Sequence, residues 1–413
     1  MKNRRILNCR LCSNDKFEKI IDFGKLPLGN NLIKSLDHSL HAKTYPLAVQ
    51  RCKRCSHFQL TFEVSPKDLY KKNYTYLSSI GKTFRDHLNK YAEWSISKCK
   101  LNKNSLILDV GSNDGTCLSY FKKKGMRVIG IDPAIKPAKI ANKNNIDTIN
   151  AFFDDKSSEL IIAKHGQVDF ITSHNVLAHV SDIISTFKNI NKVLKSNGYF
   201  CFEVGYFLKV LQNNFFDTIY HEHLDYHHAK SLFPFLKKLG FSVVNVSTNS
   251  SQGGTIRVLC KKENKSRIYY QPKLFLKKEN QSIINKSNFL KKWPIEIKKN
   301  LSRLEKFIKQ CVLEGKTVYG YGAPTKVSLL LKHSNLTRLI RFIIEDNSLK
   351  LNRYIPRTNI KIVGNKRLNL QQPNILIVFA WNFISDILLK LKKQKYKDII
   401  IVIPLPKFRI IKL

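Results

Sequence analysis

The stretch Ser105-Leu106-Ile107-Leu108-Asp109-Val110-Gly111-Ser112-Asn113-Asp114-Gly115-Thr116 decides the fold. Its first six residues are a short apolar run, suited to a strand buried in a parallel sheet. The run enters a glycine turn, and an amphipathic stretch from Cys117 to Lys124 follows as a helix. Arg127-Val128-Ile129-Gly130-Ile131-Asp132 then reads as a second strand closed by a carboxylate. Together these form a βαβ unit with a glycine-rich turn at the helix N-terminus.

The turn does not keep the G-x-G-x-x-G spacing of a dinucleotide site, and it carries Asp114. A carboxylate there repels a pyrophosphate but suits the amine-bearing methionyl part of S-adenosylmethionine. Asp132 is placed to accept hydrogen bonds from ribose hydroxyls. The plainer alternative is a glycine turn with no ligand; the pairing of Asp114 with Asp132 favours a methyl-donor site. The candidate cofactor-binding residues are therefore Gly111, Asn113, Asp114, Gly115, Asp132 and Asn175.

Working outward, strands are expected at 167–173, 199–204, 241–247 and 255–261. Seven strands ending in a late hairpin fit the methyltransferase variant of the doubly wound α/β sheet. Ligands of such sheets bind beyond the carboxyl ends of the strands, where Asn175, His179 and Glu203 would lie.

The 413 residues suggest two or three domains, and 43% hydrophobic content is ample for buried cores. No run approaches the roughly 20 apolar residues that span a bilayer. The basic N-terminus lacks the apolar core of a signal peptide. A soluble, cytoplasmic protein with no membrane partner is expected. The net charge of +42 raises the question of nucleic acid. Its lysines are spread along the whole chain without an arginine-rich stripe, which favours an anionic small substrate over dedicated nucleic-acid binding.

Cysteine use is lopsided. Cys9-Arg10-Leu11-Cys12 and Cys52-Lys53-Arg54-Cys55 are two C-x-x-C pairs, while the other five cysteines are scattered. Two such turns complete a tetrahedral S₄ site, the closed geometry of structural zinc. The 39 residues between the pairs add little closure cost, which grows only logarithmically with length. A redox pair or unrelated thiols are the alternatives to zinc on Cys9, Cys12, Cys52 and Cys55.

The segment Asp217-Thr218-Ile219-Tyr220-His221-Glu222-His223-Leu224-Asp225-Tyr226 gathers acid–base groups able to move a proton from carbon. A weak metal site or a polar surface loop would also explain it. Upstream, Tyr74-Thr75-Tyr76-Leu77-Ser78-Ser79 either walls a ligand pocket or belongs to a core.

Taken together these motifs resemble the sugar-nucleotide C-methyltransferase family. The resemblance also rests on Asp22-Phe23-Gly24-Lys25-Leu26-Pro27-Leu28, Asn175-Val176-Leu177-Ala178-His179, Gly253-Gly254-Thr255-Ile256-Arg257, Gly320-Tyr321-Gly322-Ala323-Pro324-Thr325-Lys326 and Ala380-Trp381-Asn382. It implies an α/β chain with a small N-terminal zinc-binding domain, a central seven-stranded class I methyltransferase sheet and a C-terminal Rossmann-like domain. The expected boundaries are 1–66, 67–263, a solvated helical linker at 264–300 broken at Trp293-Pro294, and 301–413. The implied substrate is a nucleotide-linked 4-keto-deoxysugar. By the same resemblance His223 is the general base, Tyr220 and Glu222 share its cluster, and Tyr76 and His179 line the reacting end. The G-Y-G-A-P turn departs from a dinucleotide fingerprint, so no NAD site is expected there, and a monomer is expected. An O- or N-methyltransferase and a zinc-ribbon nucleic-acid-binding protein are the alternatives.

Overall fold

The computed structural model describes residues 3–70, 77–79, 81–394, 396 and 398–413. The chain divides into two compact units. The first comprises Met1–Glu18, Gln50–Leu208 and Glu222–Asn285; the second comprises Lys19–Val49, Lys209–His221 and Lys286–Leu413.

The first unit is built on seven strands: β1 (Leu106–Val110), β2 (Arg127–Ile131), β3 (Thr148–Ile149), β4 (Val168–His174), β5 (Leu194–Gly205), β6 (Phe241–Asn249) and β7 (Thr255–Lys262). Their order is β6-β7-β5-β4-β1-β2-β3. Strands β1 to β5 pair in parallel, while β7 runs antiparallel to both β5 and β6. This is the seven-stranded mixed sheet of class I methyltransferases, with the late hairpin as expected. Strand β1 is buried at every position, which is why it reads as an unbroken apolar run.

Helix α1 (Lys82–Cys99) buries Phe84, Leu88, Tyr91, Ala92, Ser95 and Cys99, a helical spacing that turns one stripe to the sheet. All of these but Ser95 pack with Phe121 of α2 (Thr116–Lys123) and with Ile107, Phe170 and Cys201 of the sheet. Burying one such Leu or Phe contributes about 1.5–3 kcal/mol.

The second unit carries a six-stranded sheet of β8 (Val318–Tyr321), β9 (Phe342–Ile344), β10 (Lys361–Val363), β11 (Ile375–Val378), β12 (Ile400–Ile403) and β13 (Arg409–Lys412). The order β10-β9-β8-β11-β12-β13 is parallel apart from β13, a Rossmann-like arrangement.

The solvated, broken linker expected at 264–300 is corrected. Helix α3 (Tyr270–Asn280) inserts Glu279, 2% exposed, against the start of the helix Ala229–Lys238, where it accepts the N–H groups of Ala229 and Lys230. Helix α4 (Ser287–Leu313) runs through Pro294 without stopping. Its stripe of Leu290, Trp293, Ile297, Leu301, Leu304 and Ile308 is buried, and Trp293 Nε1 donates to Asn214 Oδ1 at 2.9 Å. Packing of that stripe outweighs the hydrogen bond that proline removes.

Candidate functional site

The turn after β1 is shaped by glycines where the backbone demands them. Gly111 has φ +77°, and a Cβ there would meet Val176 Cγ2 at 2.2 Å. Gly115 has φ +78°, and Asn113 also sits in the left-handed region. Asp132 closes β2 and orients the turn. Its Oδ2 accepts the Asn113 N–H at 2.9 Å and its Oδ1 accepts the Ala134 N–H at 2.8 Å. Each oxygen keeps a second acceptor direction for a ligand hydroxyl. Burial pushes the Asp132 carboxyl up, and those two amides partly offset it.

Asp114 accepts the Thr116 hydroxyl at 2.6 Å and the Ser79 N–H at 3.0 Å, while Asn113 Oδ1 accepts the Ser78 N–H at 3.0 Å. The Leu77-Ser78-Ser79 end of the upstream aromatic segment thus lies on the turn. Tyr74 and Tyr76 themselves fall outside the described residues. Beneath the turn, Asp109 is 2% exposed, with Oδ1 lacking a hydrogen-bond partner. Burial, reinforced by neighbouring Asp132, pushes its carboxyl up to about 8. Among the described residues no Lys or Arg pairs with Asp109, Asp114 or Asp132. Asp114 and Asp132, with no described lysine or arginine paired to them, suit a ligand that brings its own positive charge. The residues present therefore fit S-adenosylmethionine.

The second part of the site follows β4. Asn175 adopts φ +56°, and its N–H donates to the Glu203 carbonyl at 2.8 Å. Four residues on, the His179 ring meets the His223 ring edge to face, with centroids 4.7 Å apart and planes at 72°. The structure brings these two candidates together. Leu224 N–H donates to the Ala178 carbonyl at 2.7 Å, fastening the two segments. Burial lowers His179 to about 4, while the backbone at Glu222 and Asn175 pulls the other way. A neutral imidazole therefore lies beside His223 at ordinary pH.

Glu222 is buried in the first unit, whereas Tyr220 and His221 belong to the second. His221 bonds the Tyr45 carbonyl through Nε2 at 3.2 Å, and burial lowers it to about 4. Glu203, expected near ligand, is 1% exposed and taken up by neighbours. It accepts from His87 Nε2 at 2.6 Å, Arg257 Nε at 2.6 Å and Asn249 Nδ2 at 3.1 Å. Burial opposes its ionisation, but His87, His174 and Arg257 together hold it at about 2.

The four cysteines converge. The sulfurs of Cys9, Cys12, Cys52 and Cys55 all lie within 4.8 Å of one another, with Cys9 and Cys55 at 3.5 Å and Cys12 and Cys52 at 3.6 Å. Zn–S bonds of about 2.3 Å in a tetrahedron require sulfurs about 3.8 Å apart, so the donor set fits zinc. The two turns are built alike. Ser13 N–H donates to the Cys9 carbonyl and Ser56 N–H to the Cys52 carbonyl, and both serines have positive φ.

One cluster in the second unit was not visible in the sequence. Asp217, fully buried, accepts Trp381 Nε1 at 2.6 Å and pairs with Lys326 Nζ at 3.1 Å; Lys326 Nζ lies 3.8 Å from the Trp381 ring centroid. Each residue stands in a motif already quoted, but no spacing joins positions 217, 326 and 381.

The mixed sheet, the acid-bearing turn and the S₄ cluster define a class I methyltransferase with a zinc-binding module. The family described as "C-methyltransferase C-terminal domain" matches residues 250–406, "Methyltransferase domain" matches 79–246, and a zinc binding domain family matches 9–70. A relative named C-methyltransferase NovU, from Streptomyces niveus, is 30% identical over 411 residues, covering 99% of this chain and 97% of the relative. The chain belongs to this C-methyltransferase family and is an S-adenosylmethionine-dependent methyltransferase. Among solved structures, magnesium protoporphyrin IX methyltransferase from Synechocystis PCC 6803 with bound SAM is 12% identical, with a TM-score of 0.33 over 43% of this chain and 79% of that one. A Burkholderia thailandensis 1,6-didemethyltoxoflavin-N1-methyltransferase is 15% identical, with a TM-score of 0.34 over 44% and 80%. The family assignment rests on the full-length relative and not on these structures. Among the described residues no helix is long and apolar enough to cross a membrane.

Proposed function

We propose that the enzyme methylates carbon next to the ketone of a nucleotide-linked keto-deoxysugar, with His223 as the general base. The observation that carries this reading is the His179–His223 contact in the unit that also holds the Asp114–Asp132 turn. Both parts follow carboxyl ends of parallel strands, where ligands of such sheets collect.

S-adenosylmethionine, when bound, supplies an electrophilic methyl group on a sulfonium. Asp132 holds the ribose hydroxyls and Asp114 the ammonium group. His223 takes the proton from the carbon next to the ketone, and the electron pair moves to the ketone oxygen as an enolate. His179 stays neutral beside it, so no second imidazolium opposes proton uptake by His223. Tyr220, Glu222 and Tyr76 are proposed to serve the same reaction, as hydrogen-bonding partners of the sugar. Cys9, Cys12, Cys52 and Cys55 would hold a zinc ion, and with four thiolates as ligands it would serve structure rather than the reaction.

The test is proton exchange in deuterium oxide with S-adenosylhomocysteine in place of the donor. The intact enzyme is expected to exchange the hydrogen next to the ketone, and His223→Ala to slow that exchange roughly 100- to 10,000-fold. With ¹³C-methyl donor, a product signal in the carbon-bound methyl range supports the reading; an oxygen- or nitrogen-bound methyl signal overturns it.

A further inference from the structure

The cysteine turn does more than bind metal. Arg10, between Cys9 and Cys12, has a side chain only 6% exposed, and its Nε donates to both carboxylate oxygens of Asp225 at 2.9 and 3.0 Å. Its remaining nitrogens donate to the Ser181 carbonyl at 2.9 Å and to the Val180 carbonyl. Those carbonyls follow His179 directly, and Asp225 lies two residues after His223. One guanidinium therefore ties the chain on the far side of both histidines.

The tie is braced from both ends. The Arg10 N–H donates to Gln59 Oε1 at 2.9 Å, and Gln59 returns a bond from Nε2 to the Asn8 carbonyl at 3.2 Å. Gln59 is the strand partner of Asp225, and Leu60 N–H donates to the Leu224 carbonyl at 2.9 Å. His57, two residues past Cys55, donates Nε2–H to Asp225 Oδ1 at 2.8 Å. Asp225 is wholly buried, and its carboxylate is compensated by Arg10 and His57. A planar five-donor guanidinium reaches one carboxylate and two carbonyls in a fixed geometry that an ammonium does not match.

We propose that Arg10 and Asp225 are positioning residues for the His179–His223 pair. This rests on the reading of His223 as the base. Both side chains are buried, and each acts through the backbone beside a histidine. A displacement near 1 Å in a base is enough to cost about hundredfold in rate.

The test uses full-length enzyme and the variants Arg10→Lys and Asp225→Asn, each measured for zinc content, S-adenosylmethionine affinity, KM, kcat and deuterium exchange into the keto-sugar. The expected result is one zinc per chain and unchanged methyl-donor affinity in both variants. KM is expected to stay within about threefold, while kcat and exchange rate both fall about 10- to 100-fold. Exchange at the intact rate in both variants overturns the inference. So does a loss confined to zinc content and folded fraction, with normal turnover per folded molecule. If Arg10→Lys does not fold, Asp225→Asn, which keeps the shape while losing the charge and one acceptor oxygen, decides the matter on the same readouts. Failure of the intact enzyme to exchange at all would instead strike the reading of His223.

Discussion

The two sheets answer the same structural problem with opposite electrostatics. In each, the strand that follows the glycine turn ends in an acid that binds the backbone of that turn. Asp132 holds the N–H groups of Asn113 and Ala134; Glu345 holds those of Ala323, Asp346 and Asn347, all at 2.8 or 2.9 Å. Around Glu345 the charges are balanced internally. Lys350 lies 3.6 Å from Glu345 and bonds the Ala323 carbonyl, and Lys390 pairs with Asp346, whose other oxygen accepts the Tyr321 hydroxyl at 3.0 Å. Around Asp132 no described lysine or arginine does this. A turn and an acid make a scaffold; an acid with no described cation beside it suits a cationic nucleoside.

The largest effect should come from the acids themselves. Asp132→Ala should weaken S-adenosylmethionine binding roughly 10- to 150-fold, the loss expected for hydrogen bonds to a charged group. Glu345→Ala should leave that affinity within about twofold, as measured by calorimetry. Equal losses in both variants would erase the contrast between the two turns.

Acid should separate the regions next. His174, His179 and His227 of the first unit are each lowered to about 4, chiefly by burial, as is His221 of the second. An unfolded histidine takes up its proton near 6.5, whereas these take it near 4. Between those values the unfolded chain binds more protons, so stability falls as pH falls from about 6.5 to 4. Hydrogen exchange followed over that range should show protection fading first in the first unit.

A smaller and opposite dependence belongs to Asp109. Its folded value near 8 exceeds the unfolded value of about 4, so its contribution is fully present below about pH 4 and lost as pH rises through 8. Between pH 6.5 and 8, above the histidine window, Asp109→Asn should flatten the decline of Tm relative to the intact protein. A parallel decline in both would show that Asp109 is not the group responsible.

Local spacing exposed the parts whose geometry is local. The cysteine turns, strand β1 with its glycine turn, and the acid closing β2 each depend on residues a few positions apart. The His179–His223 contact joined two motifs 44 positions apart, and the resemblance had already grouped them. Links such as Arg10 to Asp225, Asp217 to Lys326, or Glu203 to Arg257 leave no spacing to read, because tertiary packing alone makes them neighbours. The break expected at Pro294 failed for the same reason. One missing backbone bond loses to a long buried stripe on α4, and proline reports only the local term.

The most direct measurement is the number of S-adenosylmethionine molecules bound per chain, found by calorimetric titration of zinc-loaded protein. One site per chain, weakened by Asp132→Ala and indifferent to Glu345→Ala, is the expected result. No heat of binding, or a second equivalent site lost with Glu345, would contradict the assignment of the donor site to the turn after β1.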